Sequence, residues 1–154
     1  MYGLNDFIYF FYTMAEADKE KLTLDILDKF HSTVAAIFRI AKKLEPDSTE
    51  IIRLSRILNI AKQEDPLIII NRSKDKIWLY RQYIINEDED FFYNNKFSQF
   101  IKEDENKEFM YTLIGLIKKR FRALSQDEKD VIWKYSKDLL RYVIEYKKIT
   151  GDHD

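Results

Sequence analysis

LIIINRSKDKIWLYRQYII, residues 67–85, decides the fold class, because its first four residues suit a buried strand as well as a helix. The remainder settles the matter. Ile70, Ile77, Tyr80 and Ile84 recur at helical spacing, and no second apolar run follows at hairpin distance. The spacing therefore predicts a helix over the whole stretch. Upstream, Asp65-Pro66 supplies a start signal, with Asp as N-cap and Pro at the first helical position, where its missing N–H costs nothing.

The same reading extends in both directions. Residues 49–63 carry Ile51, Leu54, Leu58 and Ala61 on one face, behind a Glu45-Pro46-Asp47-Ser48 break in which Ser48 or Asp47 can cap. Leu22, Ile26, Phe30, Val34, Ile37 and Ala41 form a single apolar stripe over 22–43. Toward the C-terminus, Ser125-Gln126-Asp127-Glu128 is a capping box. It opens a long helix with Ile132, Tyr135, Leu139, Tyr142 and Tyr146 at steps of three and four, ended by Thr150-Gly151. Three Gly and two Pro leave little material for the turns of a β-rich fold. The expectation is an all-α, single-domain bundle of six or seven helices with short connections over residues 1–154. In it an N-terminal apolar helix, residues 1–20, packs through Phe7, Phe10, Phe11 and Met14 on a 22–148 bundle, and residues 150–154 form a frayed tail.

Composition excludes several functions. The chain of 154 residues is 45% hydrophobic and 34% charged with a net charge of -1, which suits a globular domain rather than a disordered or membrane-spanning one. No apolar run reaches the length of a spanning helix, and the N-terminus lacks the basic lead of a secretory signal; an intracellular chain is expected. Acids and bases balance in both halves, so the basic excess of a general nucleic-acid binder is missing. There is no cysteine and only two histidines, His31 and His153, so thiolate chemistry, nucleophilic triads and zinc sites lack parts. The acids are scattered and nominate no catalytic pair. The expectation is a protein that is not an enzyme and needs no metal or cofactor.

Two charged clusters are candidate interaction patches. INEDEDFFYNNKF, residues 85–97, holds Glu87, Asp88, Glu89 and Asp90 in a row. An EF-hand loop would need Gly at its sixth position and Glu at its twelfth. Counting from Asn86 these are Phe91 and Phe97, and counting from Asp88 they are Tyr93 and Gln99, so calcium is not expected. The acids instead suit the positive end of a short helix capped by Asp90, with Phe91, Phe92, Phe97 and Phe100 turned inward. A negative surface for a basic partner is the functional alternative. Lys118, Lys119, Arg120 and Arg122 are its basic counterpart: the last turn of a helix, where cations suit the dipole, or a grip on phosphate extended by Lys134, Lys137, Arg141, Lys147 and Lys148. Aromatic residues at 15% exceed what a helical core ordinarily uses, and a surplus on the surface would mark an interface.

The order PLIIINRSKDKIWLYRQYI, DEDFF, LSQDEKDVIWKYSKDLLRYVIEY resembles small uncharacterised all-helical proteins of large nucleocytoplasmic DNA viruses. Trp78, Asp88, Asp90, Phe91, Phe92, Ser125, Lys129, Ile132, Trp133, Tyr135 and Leu139 carry the likeness, over roughly residues 22–146. It implies a virion-associated or scaffold-like interaction protein, located in the virion or the host cytoplasm, with a protein partner or itself as a homo-oligomer. Two other readings are a decoy that captures a host signalling helix in an apolar groove, as small helical immune-evasion proteins of poxviruses do, and a nucleic-acid binder using the 118–122 cluster and the last helix. No Asn-Trp-Gly-Arg signature is present. A groove reading requires an apolar cleft in the monomer; a structural role predicts a flat patch or self-association.

Overall fold

The computed structural model describes residues 16–95 and 107–152, and within them every regular element is a helix. In chain order these are α1 (Glu16–Leu44), α2 (Thr49–Glu64), α3 (Ile68–Leu79), α4 (Arg81–Ile85), α5 (Glu89–Asn94), α6 (Lys107–Ala123) and α7 (Gln126–Thr150). The all-α architecture of about seven helices follows from the sequence as expected. The apolar stretch Phe7 to Met14, Phe97, Phe100 and His153 lie outside the described residues.

The two long helices, α1 and α7, pack most extensively against each other, and α3 and α4 lie along α7. α2 bridges α1, α3 and α6. The main core joins Ile26, Leu27 and Phe30 of α1 to Ile70 of α3 and Tyr142, Val143 and Tyr146 of α7. Phe30, Ile70 and Val143 are shielded almost completely, and each such burial contributes about 1.5–3 kcal/mol. A second cluster, Tyr80, Ile84 and Leu140, draws in Phe91 and Phe92. Those rings form a continuous aromatic path from Tyr83, stacked 3.5 Å from Phe91, through Phe92 to Trp133 and Phe121.

Residues 68–70 form the first turn of α3 rather than a strand, and Ile70 is fully buried between α1 and α7. Several boundaries differ from expectation. Residues 16–20 belong to α1, so the chain does not break between 20 and 22. Asp65 does not cap α3; its side chain accepts the Leu67 N–H at 3.0 Å, a turn that delays the helix to Ile68. The long helix expected over 67–85 is interrupted at Tyr80, whose N–H reaches the carbonyls of Lys76 and Trp78. Asp88, not Asp90, caps α5, accepting the Phe91 N–H at 3.0 Å. Its position is fixed by Glu87, whose left-handed backbone (φ 50) ends α4 by letting the Asp88 N–H reach Tyr83 O at 2.9 Å. At the C-terminal end, Gly151 takes the left-handed cap (φ 76), and Asp152 beyond it is held by Lys74 at 2.8 Å, so order runs past residue 150.

Candidate interaction surfaces

The 118–122 cluster ends α6, but its members diverge. Lys118 donates to the Asn95 carbonyl, Arg120 pairs with Glu45 at the end of α1, and Arg122 lies 3.7 Å over the Tyr93 ring. Lys119 and Arg122 are the exposed members of the four. The cluster thus fastens α6 to α1 and to the segment around α5.

The acidic row is spent in the same way. Glu87 accepts from Lys137 at 2.6 Å and Glu89 from Lys129 at 2.8 Å, both on α7, while Asp88 is the α5 cap. Asp90 remains exposed in the first turn of α5. The geometry sets this row against Lys129 and against Lys137, one of the lysines that the phosphate-gripping reading would use.

Lys147 is the feature that the sequence pattern conceals. It sits on the buried face of α7, 4% exposed, with Asp75 and Asp152 each 3.4 Å away and the Trp78 ring 5.5 Å from its ammonium. Beside it Lys74 bonds Asp152, which is the main reason its pKa is raised, and Tyr146 donates to Asn71 at 2.7 Å. Burial pushes the Tyr146 phenol up. This charged knot ties α3 to the end of α7; Lys147 is not a surface cation, which corrects its expected place in a nucleic-acid grip.

Among the described residues the aromatic side chains are mostly covered. Among the described residues only Tyr83 and Tyr111 are exposed, each 37%, whereas Ile57, Ile60, Leu79, Ile85 and Ile117 are exposed aliphatics. Ile117 borders an apolar cleft of about 140 Å³, which no single segment foretells because four helices build it. α1 contributes Ile37, Ile40, Ala41 and Leu44, α2 Ile51, α6 Leu113, Leu116 and Phe121, and α7 Ile132. The Glu45–Arg120 pair sits at its rim.

Among the described residues no group of three or more His, Asp or Glu is placed to hold a metal ion. None of their helices is long and apolar enough to cross a membrane. Comparison with protein-family models, with curated proteins and with solved structures finds no match to this chain.

Proposed function

We propose that this chain works by binding rather than catalysis, and that it accepts the apolar face of a partner's helix in the cleft between α1, α2, α6 and α7. The observation that carries this reading is the lining of the cleft: aliphatic and aromatic walls from four helices, with one ion pair at the edge. A volume of about 140 Å³ suits one or two anchoring side chains, which is how an amphipathic helix docks into a groove. The paired state of Lys118, Arg120, Glu87 and Glu89 favours this reading over charge-led binding. The setting is the one the viral resemblance implies: a virion component, or a captor of a host helix in the cytoplasm.

Panning a phage library of helical peptides on the purified protein tests the reading. The expected winners repeat Leu, Ile, Phe or Met at i, i+3 or i+4, and i+7, and lose binding at least tenfold to Ile117→Glu. That substitution lies on an exposed position and leaves the core intact. Winners without such anchors, or winners that bind the variant equally, would contradict it. A second reading, self-assembly, is favoured by Ile57 and Ile60 exposed one turn apart on α2.

A further inference from the structure

A second concavity lies between α1 and α2, shares Phe38 with the apolar cleft, and adds cationic side chains to an apolar lining. Its volume is about 200 Å³. His31, Ala35, Phe38, Arg39 and Lys42 follow one face of α1, and Ser55, Leu58, Asn59 and Lys62 follow one face of α2. Because a short turn folds α2 back along α1, Lys62 near the end of α2 meets His31, and Arg39 and Lys42 extend the positive lining toward the other end. None of these three cations has a carboxylate partner among the described residues.

The independent observation is His31 itself. It is 7% exposed, it lines the concavity, and its Nε2 is buried with no hydrogen-bond partner. A buried polar atom left unpaired costs roughly 1–3 kcal/mol, and protein interiors rarely tolerate one without a use. The Pro66 carbonyl acts on the imidazole as a hydrogen-bond acceptor and favours its charged form. Val34, Phe38 and Leu58 supply apolar walls beside the cations.

We propose that this concavity is a binding site for a small phosphate ester, its oxyanion held by His31, Lys62 and Arg39 and its organic body by the apolar walls. Protonated at Nε2, His31 donates to the anion once the ring edge, closed to solvent in this structure, turns toward it, and the orphaned atom gains its partner. Burial, then the nearby Lys62, hold the empty site's imidazole below its ordinary value, while the Pro66 carbonyl and Asp28 pull the other way. Arg39 and Lys42 are the other charged groups lining the concavity, and α3 contributes only apolar Ile69 to it. Anion binding therefore takes up a proton, and affinity falls as pH rises through the pKa of the liganded ring.

The test is proton NMR of the His31 ring, assigned against His31→Gln, titrated with pH in sodium sulfate and in sodium chloride of equal ionic strength. Sulfate stays a dianion throughout, so any proton linkage belongs to the protein. The expected result is a saturable shift and a higher His31 pKa in sulfate, with that difference abolished in Arg39→Gln/Lys62→Gln. Both changes are at exposed positions. Phenyl phosphate should bind several-fold tighter than inorganic phosphate at one pH. Identical titrations in sulfate and chloride, a difference that survives the double substitution, or equal binding of the two phosphates would overturn the proposal.

Discussion

At the scale of single residues, the fold is held by side chains whose sequence neighbourhood gives little hint of their role. Lys147 stands next to Lys148 at the end of α7, yet one is 4% exposed and the other lies in an exposed position. A buried ammonium needs its counter-charges, and removing one leaves an uncompensated ion. Asp152 serves both Lys74 and Lys147 and its side chain is 29% exposed, whereas Asp75 serves Lys147 with 73% exposure. Asp152→Asn should therefore lower unfolding stability by about 1–3 kcal/mol, and Asp75→Asn by less than about 1 kcal/mol, as an exposed pair does. Urea denaturation of the two variants gives the order; equal losses would show that Asp152 matters no more than the exposed Asp75. The stripe Ile132, Tyr135, Leu139, Tyr142, Tyr146 identifies the inward side of α7, but it is offset from Val143 and Leu140, which the structure buries more deeply than Tyr135. A stripe defined by apolar type alone cannot assign Lys147 to that side.

At the scale of elements, end signals were legible where they are local. Ser48 accepts the Ile51 N–H, and Ser125 with Glu128 forms both bonds of the capping box. The Ser125 backbone N–H, then its hydroxyl, hold the Glu128 carboxyl below its ordinary value. Ser125→Ala should cost about 1 kcal/mol of stability. Gly115 lies inside α6 with open space where a Cβ would go, so Gly115→Ala should stabilise by about 0.5–1 kcal/mol. Thermal unfolding reads both, and the opposite signs distinguish local helix energetics from general sensitivity of the α6–α7 region. The boundaries that sequence missed depend on longer reach. Asp88 caps α5 only because Glu87 adopts a left-handed backbone that ends α4, and Tyr80 interrupts the 67–85 helix while its ring packs against Phe91 and Phe92. Neither event follows from apolar spacing.

At the scale of the whole molecule, composition and helical spacing are enough for the fold class, because few turn residues and continuous 3.6-residue stripes leave no material for sheets. The candidate sites were not legible, since each concavity is assembled from faces of different helices. Ile37 and Leu116 lie far apart in the chain and line one cleft, and His31 finds Lys62 only when α2 folds back on α1. The charge clusters, which sequence does reveal, are largely consumed in fastening helices to one another. On this account the cleft beside Ile117 stands open in the free protein, ready for a partner's helix. Light scattering of the purified chain across a series of concentrations and salt tests this most directly. The account predicts a monomer of 18.7 kDa throughout. A stable dimer that Ile117→Glu dissociates would show the cleft covered by a second copy, and would contradict it.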